Sequence, residues 1–295
     1  MKILISDPIT DNGLSILKDA NFNVLYMPKA NIEEKIEASK EVHGWIIRSG
    51  TTITEQMIEE SKNLQVIGRA GVGVDNINIP IATRRGIVVM NTPDINTISA
   101  AEHTVAMMLT LSRNISVGDS EVKQGEWNRN ELIGSELSNK ILGIVGMGKI
   151  GREVMTRCRS FGMKVLGYDP YMNQEMFNSE EVKMVKLDEL VSNADIISVH
   201  VPLTDSTQDL FNYERLSNMK STARIINVAR GGIINETDLA KALSKGLLAG
   251  AAIDVFTSEP IDTSNPLVNA PNIVLTPHLG AVSYTHLTLP TTPYV

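Results

Sequence analysis

The sequence predicts an α/β protein built from two doubly wound parallel sheets. Short apolar segments rich in β-branched residues alternate with helical segments along the 295 residues, and this spacing is typical of parallel strands joined by crossover helices. The alternation occurs in two series, separated by one longer helical segment. The length also suggests about two domains.

The first series supplies the strands of the first predicted sheet. These strands are Lys2–Ser6, Asn23–Tyr26, Trp45–Ile47, Gln65–Ile67 and Ile87–Met90. Amphipathic segments such as Ile32–Lys40 and Glu55–Lys62 lie between them and predict helices. Apolar residues at helical spacing then predict one long helix over Ile98–Val117.

The second series begins at Ile141 and supplies the second sheet. Its predicted strands are Ile141–Val145, Lys164–Tyr168, Ile196–His200, Arg224–Asn227, Ala251–Val255 and Ile273–Leu275. Each is short and is followed by a polar or glycine-containing loop. In a parallel sheet such loops meet at one edge, where ligands of open α/β sheets bind.

Charge and composition exclude several classes of protein. The chain has 27 basic and 34 acidic residues, a net charge of −7, so it lacks the basic footprint of a nucleic-acid-binding protein. No stretch of about 18 apolar residues predicts a membrane span, and the first apolar run is too short for a signal peptide. Cys158 is the single cysteine and gives no support for an oxidising compartment. It lies in a helical stretch, where we expect it to be a buried packing residue. We therefore expect a soluble cytoplasmic protein without a metal site.

A glycine-rich turn follows the first strand of the second series. Gly146, Gly148 and Gly151 form G-x-G-x-x-G between this strand and a helix, and Asp169 follows the next strand, 18 residues after Gly151. The first glycine permits a tight turn, the second lets the backbone approach a pyrophosphate, and the third allows close packing of helix and strand. A carboxylate at Asp169 accepts hydrogen bonds from ribose hydroxyls and repels a 2′-phosphate. The sequence therefore predicts NAD as the cofactor.

Three further segments complete a pattern. They are Asn227–Gly232, Asp254–Pro260 and Thr276–Ala281, and each follows a predicted strand. With the glycine-rich turn, and in this order along the chain, they resemble the D-isomer-specific 2-hydroxyacid dehydrogenase family. The resemblance extends from the N-terminus to about Ala281. It implies a flavodoxin-like substrate-binding domain over residues 1–98 and a Rossmann NAD-binding domain over residues 99–281.

The resemblance also implies the catalytic residues. Arg230 would bind the substrate carboxylate and carbonyl through its planar, permanently charged guanidinium. His278 would exchange the hydroxyl proton of the substrate, and Glu259 would orient His278 and stabilise its charged form. Cofactor contacts are implied for the glycine-rich turn and for other strand ends: Gly146, Gly148, Lys149, Ile150, Gly151, Asp169, Val201, Val228, Ala229, Asp254, Gly280 and Ala281.

Within the family, Arg69–Asn76 and Asn96–Glu102 are most similar to the members that oxidise 3-phosphoglycerate to 3-phosphohydroxypyruvate in serine biosynthesis. By this resemblance the small anionic substrate would be bound in the first domain, at Arg48, Ser49, Arg69, Gly71, Val72, Gly73 and Asn96. Glyoxylate, hydroxypyruvate and D-lactate remain alternative substrates, and Arg48 and Arg69 could also be ordinary solvated arginines. The family further implies a homodimer.

Three further interpretations complete the predictions. A non-catalytic NAD(H)-sensing regulator on the same fold is the alternative function, although Arg230, Glu259 and His278 favour the enzyme. His103 and His200 are predicted to be packing residues, in a helix and at a strand end. Residues 282–295 contain two prolines and no charged residue, so we interpret them as a non-native or disordered tail, with a divergent native end as the alternative.

Overall fold

A computed structural model of the chain describes residues 1–92 and 96–281. They form two compact units, Met1–Asn96 and a second that begins at Thr97. The predicted boundary between residues 98 and 99 falls in the first turn of the helix that begins at Thr97. The assignment of substrate and cofactor to separate domains stays a prediction, and the predicted tail, 282–295, lies outside the described residues.

The first unit contains a parallel sheet of five strands. The strands are β1 (Lys2–Ile5), β2 (Asn23–Tyr26), β3 (Gly44–Ile47), β4 (Val66–Arg69) and β5 (Val88–Asn91). The connecting helices are α1 (Asp11–Asp19), α2 (Ile32–Ser39), α3 (Glu55–Glu60) and α4 (Ile79–Arg84). The strand order is β2-β1-β3-β4-β5, which is the flavodoxin-like order.

Alternate side chains of the first sheet enter two separate apolar clusters, because successive residues of a strand face opposite sides. Leu4 packs in a cluster with Met57 of α3 and Ile81 of α4. Its neighbours Ile3 and Ile5 pack with Leu17 of α1. Helices on both faces explain why the strands are apolar at nearly every position.

The second unit contains a parallel sheet of seven strands. The strands are β6 (Ile141–Val145), β7 (Lys164–Tyr168), β8 (Lys183–Met184), β9 (Ile196–Val199), β10 (Arg224–Asn227), β11 (Gly250–Ile253) and β12 (Ile273–Leu275). The α-helices are α5 (Thr97–Ser112), α6 (Ile115–Lys123), α7 (Lys149–Ser160), α8 (Leu187–Asn193), α9 (Tyr213–Ser217) and α10 (Glu236–Ser244), with 3₁₀ turns at Gln174–Met176 and Pro266–Asn269.

The strand order of the second sheet is β8-β7-β6-β9-β10-β11-β12. This is the Rossmann order 3-2-1-4-5-6 with one further strand, and the order reverses between β6 and β9, where the ligand of such a sheet binds. One face packs Ile144 and Ile226 against α5 and α7. The other packs Val145 and Ile225 with α8 and α10. The predicted fold class is therefore confirmed.

The long helix predicted over Ile98–Val117 is wrong. The structure has two helices there, because α5 ends at Ser112 and α6 begins at Ile115. Asn114 lies between them with a φ of 53°, a left-handed conformation that asparagine adopts more readily than most residues. The apolar pattern continues across Asn114, so the pattern alone does not reveal the change of direction.

The structure also bears on three expectations about chemistry. Within residues 1–92 and 96–281, no helix is long and apolar enough to cross a membrane. Within the same ranges, no group of His, Cys, Asp or Glu side chains could hold a metal ion. Cys158 is buried in α7, where burial raises the pKa of its thiol to about 12, so it is a packing residue as expected.

Candidate active site

The glycine-rich turn joins β6 to α7, and two of its glycines cannot be replaced without displacing backbone. Gly146 has a φ of 98°, and a Cβ atom there would lie 2.5 Å from the carbonyl oxygen of His200. A Cβ on Gly151 would lie 2.2 Å from the carbonyl oxygen of Gly146. Both glycines are therefore required for the tight turn itself and for the close approach of α7 to it.

Gly148, in contrast, faces open space. No atom lies within 4 Å of the position that its Cβ would occupy. It precedes α7, a helix of 12 residues whose N-terminus has no side-chain cap. Uncapped N–H groups at a helix N-terminus bind phosphate groups, so this turn fits the pyrophosphate of a dinucleotide. Lys149 is exposed and Ile150 is half-buried beside it.

Asp169 follows β7 and supports the turn from the neighbouring strand. Its Oδ2 accepts a hydrogen bond from the Met147 backbone N–H at 3.0 Å, and its Oδ1 accepts one from the Tyr171 N–H at 2.9 Å. A carboxylate can accept about four hydrogen bonds, so Asp169 can hold the turn and still accept ribose hydroxyls.

The loop after β9 carries Val201 and a half-buried histidine, His200. Nε2 of His200 lies 2.8 Å from the Ser198 hydroxyl, and burial lowers the pKa of His200 to about 4. His200 is therefore neutral near pH 7. Its carbonyl approaches Gly146, so it packs at the point where the strand order reverses, in agreement with its predicted packing role.

The loop after β10 is organised by Asn227, which is buried. Its side-chain Nδ2 donates to the Arg230 carbonyl at 2.8 Å, and its Oδ1 accepts from the Ala229 N–H at 3.0 Å. Val228, Ala229 and Arg230 are all half-buried in this loop. The Arg230 guanidinium also donates to the Ala229 carbonyl at 2.6 Å, so a local contact orients it.

His278 and Glu259 form the most direct contact between predicted catalytic residues. The His278 Nδ1 and Glu259 Oε2 atoms are 2.6 Å apart, and Glu259 Oε1 accepts from the Phe256 N–H at 3.0 Å. Burial alone would raise the pKa of Glu259, but the hydrogen bonds from His278 and Phe256 outweigh it and lower that pKa. An ionised Glu259 accepts a hydrogen bond from Nδ1–H, which leaves Nε2 to exchange a proton with a ligand.

The backbone of His278 adopts an unusual conformation. Its φ is 54°, in the left-handed region that non-glycine residues rarely adopt. The His278 N–H donates to the carbonyl oxygens of Asp254 and Thr276, at 2.9 and 3.0 Å. Such a conformation persists where surrounding contacts determine it, and it is common at functional sites.

Asp254 holds the loop that follows β12. Its side chain is 0% exposed, and its carboxylate accepts hydrogen bonds from the N–H groups of Leu279 and Gly280, each at 2.8 Å. Burial alone would raise the pKa of Asp254, but its hydrogen bonds outweigh that effect and lower it. The predicted contact between Asp254 and the cofactor stays a prediction, whereas its contact with the loop is direct.

Gly280 brings the loop after β12 against the loop after β10. A Cβ at Gly280 would lie 2.5 Å from Cγ1 of Val228, so this contact has no room for a side chain. Gly280 is buried and Ala281 is half-buried. The loops after β10, β11 and β12 therefore form one packed group, which includes Arg230, Glu259 and His278.

His103 forms hydrogen bonds that the sequence does not predict. It lies on α5, and its Nε2 is 3.1 Å from Oδ1 of Asp254 and 3.3 Å from the Thr276 hydroxyl. The predicted packing role is therefore incomplete. No local pattern identifies this contact, because 151 positions separate His103 from Asp254.

In the first unit, the two predicted substrate arginines lie at adjoining strand ends. Ile47 and Arg69 are paired in the ladder between β3 and β4, so Arg48 and Ser49 follow β3 directly beside the end of β4. The Arg48 N–H donates to Oδ2 of Asp7 at 2.6 Å. The amide of Asn76 donates to the carbonyls of Arg48 and Thr51, both at 2.6 Å.

The remaining predicted substrate residues lie after β4 and beyond β5. The Arg69 guanidinium covers Gly71, where a Cβ would lie 1.3 Å from Arg69 Nη1. Val72 and Gly73 are half-buried, and the Val72 carbonyl accepts from the Asn91 amide at 2.7 Å. The Asn96 side-chain oxygen is buried and has no hydrogen-bond partner within the part of the chain that the structure describes.

Comparison with known proteins identifies the family. Residues 105–280 match the family model described as D-isomer specific 2-hydroxyacid dehydrogenase, NAD binding domain. The chain belongs to the D-isomer-specific 2-hydroxyacid dehydrogenase family. The sequence resemblance is thereby confirmed, and so is NAD as the cofactor of this domain.

Individual family members are similar over nearly the whole chain. D-3-phosphoglycerate dehydrogenase of Synechocystis sp. is 47% identical over 95% of this chain and 50% of the relative. The enzyme of the same name from Methanocaldococcus jannaschii is 43% identical over 95% of this chain and 53% of the relative. The chain thus spans about half the length of the curated relatives it matches.

A solved structure supports the fold independently. The NAD-dependent formate dehydrogenase of Staphylococcus aureus, in complex with NAD, superposes with a TM-score of 0.87 at 32% sequence identity. The match covers 95% of this chain and 89% of that one. The similarity to this solved structure therefore extends over both sheets.

Proposed function

We propose that the chain is an NAD-dependent dehydrogenase of D-2-hydroxy acids, with 3-phosphoglycerate as its substrate and 3-phosphohydroxypyruvate as the product. The contact between His278 and Glu259, 2.6 Å from nitrogen to oxygen, carries this proposal. It fixes the ring so that Nδ1 faces the carboxylate and Nε2 is left for the substrate. A protein that only senses NAD(H) has no need of this pair.

His278, Glu259 and Arg230 have separate roles in the proposed reaction. In the oxidative direction, Nε2 of His278 takes the proton of the C2 hydroxyl while the C2–H bond breaks, and a C=O bond forms at C2. The turn at Gly146 and Gly148 would hold NAD, and the cofactor would supply the acceptor for the hydride that leaves C2. Ionised Glu259 stabilises the imidazolium that results, and Arg230 binds the carboxylate of the acid. Reduction follows the same steps in reverse.

Two observations support a phosphorylated substrate. The curated relatives at 47% and 43% identity are named D-3-phosphoglycerate dehydrogenase. Arg48 and Arg69 lie at adjoining strand ends of the first unit, where they offer two permanent positive charges to a phosphate. We also propose that Ser49, Gly71, Val72, Gly73 and Asn96 bind the substrate there. Glyoxylate, hydroxypyruvate and D-lactate are the competing substrates.

A panel of 2-oxo acids tests the function directly. NADH oxidation is measured with the 295-residue chain and 3-phosphohydroxypyruvate, hydroxypyruvate, glyoxylate or pyruvate. We expect the highest kcat/KM with 3-phosphohydroxypyruvate. A higher value with another acid changes the substrate but preserves the reaction class. Tight NADH binding without turnover of any acid would refute the proposed enzyme and favour the NAD(H)-sensing regulator.

Asp169 should give the protein a strong preference for NAD(H) over NADP(H). A 2′-phosphate beside this carboxylate places like charges together, at a cost of several kcal/mol, which is more than about 100-fold in kcat/KM. Asp169→Asn should narrow the preference, whereas Asp188→Asn, on an exposed side chain of α8, should not. The measurement is kcat/KM with each reduced cofactor. Equal efficiencies in the unmodified protein would refute the role of Asp169.

Arg48→Ala should weaken binding of a phosphorylated substrate selectively. A hydrogen bond to a charged group contributes about 1.5–3 kcal/mol, so KM for 3-phosphohydroxypyruvate should rise about 10- to 100-fold. KM for glyoxylate, which has no phosphate, should change little. Arg84→Ala is the matched control, because Arg84 forms an exposed ion pair with Glu55. An equal change in KM for both acids would remove Arg48 from phosphate recognition.

The homodimer is also a proposal, and the segment around α6 supports it. None of the α6 residues is buried, and two large apolar side chains that follow it, Trp127 and Ile133, are 78% and 81% exposed. Such a surface is typical of a contact between subunits. The double substitution of both residues by aspartate should convert a dimer to a 32.3 kDa monomer in analytical ultracentrifugation.

Met176→Asp is the control for the dimer, since Met176 is exposed outside this segment. An unmodified protein that sediments as a monomer would refute the proposal, and so would a double variant that remains dimeric.

The cytoplasmic location stays a prediction, which cell fractionation can test.

A further inference from the structure

His103 links helix α5 to the loop that carries His278, the residue proposed to exchange the substrate proton. It lies in α5, whose residues pack against β10, β11 and α7. Its side chain is 20% exposed, and its Nε2 contacts both Asp254 and Thr276. Asp254 contacts the turn that carries His278, and Thr276 precedes His278 by two positions in the chain.

The contacts determine which nitrogen of His103 carries a hydrogen. The Asp254 carboxyl has a lowered pKa, so it is ionised near pH 7 and can only accept hydrogen bonds. Thr276 already donates its hydroxyl hydrogen to Oδ1 of Asp254. Nε2 of His103, at 3.1 Å from the same oxygen, must therefore be the protonated nitrogen that donates to it.

Asp254 transmits this contact to the loop after β12. Its carboxylate accepts from the N–H groups of Leu279 and Gly280, and its carbonyl accepts from the N–H of His278. These three bonds surround the residue whose φ is 54°. A shift of the Asp254 carboxylate would therefore move the acceptors of Leu279 and Gly280, the two residues that follow His278.

We propose that His103 is a positioning residue for the reaction. This inference rests on the proposed function. Its Nε2–H bond fixes the Asp254 carboxylate, which in turn holds the backbone on which His278 is presented. His103 itself transfers no proton to the substrate. Without this donor, Oδ1 of Asp254 would keep its bonds from the Thr276 hydroxyl and the Leu279 N–H, and the loss of a donor to a buried carboxylate costs free energy.

Leucine, glutamine and asparagine at position 103 separate this role from simple packing. Leucine keeps an apolar body but has no donor. Glutamine places an amide nitrogen at about the distance of Nε2, whereas the shorter asparagine does not reach Asp254. His43→Leu is the matched control, because His43 is a half-buried histidine of the first unit whose Nδ1 accepts one hydrogen bond from the Lys2 N–H.

Two measurements are made on each variant after its folding is checked by thermal melting. Steady-state kinetics should show that kcat falls about 10- to 100-fold in His103→Leu, since a misplacement of about 1 Å can cost this much, while KM for the acid changes little. Hydrogen–deuterium exchange should be faster at the amides of residues 278–280. His103→Gln should restore both properties, and His103→Asn should resemble the leucine variant.

The outcomes distinguish this inference from the proposed function. A normal kcat in His103→Leu, or unchanged exchange at residues 278–280, would overturn the positioning role. Equal behaviour of the glutamine and asparagine variants would overturn it as well, and this comparison decides if the leucine variant does not fold. If the unmodified protein turns over no 2-oxo acid, the proposed function fails, while the exchange measurement still tests the link from His103 to the loop.

Discussion

The variant His278→Ala should lose about 10²- to 10⁴-fold in kcat, which is the usual contribution of a general acid–base group, and should bind NADH nearly as well as the unmodified protein. The reason is geometric. Glu259 holds Nδ1 of the ring and the backbone bonds hold the loop, which leaves Nε2 for the proposed proton exchange. The turn at Gly146 and Gly148, which would bind the cofactor, lies after a different strand.

Two assays measure these effects separately. Steady-state rates with 3-phosphohydroxypyruvate give kcat, and a fluorescence titration gives the Kd of NADH. His43→Ala serves as the control for removal of an imidazole elsewhere. A near-normal kcat in His278→Ala with a slow substrate would show that another group exchanges the proton. A large loss of NADH affinity would show that His278 contributes chiefly to the cofactor site.

Arg230→Ala should reduce kcat/KM by about 30- to 5,000-fold, with losses in both KM and kcat. Removing one partner of a buried, hydrogen-bonded charge pair typically costs about 2–5 kcal/mol, and this range converts to that factor. Arg230 is half-buried, and its guanidinium is oriented by the Ala229 carbonyl. The carboxylate of the acid would therefore lose its principal cation.

Arg230→Lys tests whether charge alone is sufficient. Lysine keeps the charge but lacks the planar fork, so its kcat/KM should lie between those of the alanine variant and the unmodified protein. Arg84→Ala is again the exposed control. If Arg230→Ala weakens NADH binding but leaves KM for the acid unchanged, Arg230 belongs to the cofactor site and another residue binds the carboxylate.

Local patterns were sufficient to predict most of both sheets. The turn from β6 to α7 was predictable because its three glycines and Asp169 lie within one strand–helix–strand segment. Two features were not predictable in this way. The break at Asn114 depends on a single left-handed residue inside an apolar pattern, and β8 contains only Lys183 and Met184, too few residues to show any period.

The residues of the candidate site were likewise predictable only where a local motif contains them. His278 and Glu259 were predictable because each lies in a loop with a recognisable motif, although 19 positions separate them. His103 was not, because its meaning depends on Asp254, and only the packing of α5 against the end of β11 brings the two together. Contacts made by the buried side of a long helix leave no local pattern, since any polar residue there resembles an interruption of the apolar face.

The left-handed backbone of His278 implies a conflict between activity and durability. A non-glycine residue in this region costs about 1–3 kcal/mol, and glycine adopts it without that cost. Folding alone would therefore favour glycine or asparagine at position 278, whereas the proposed proton exchange requires an imidazole. A search for heat-resistant variants, made without an assay of turnover, would therefore select against the proposed activity at this position.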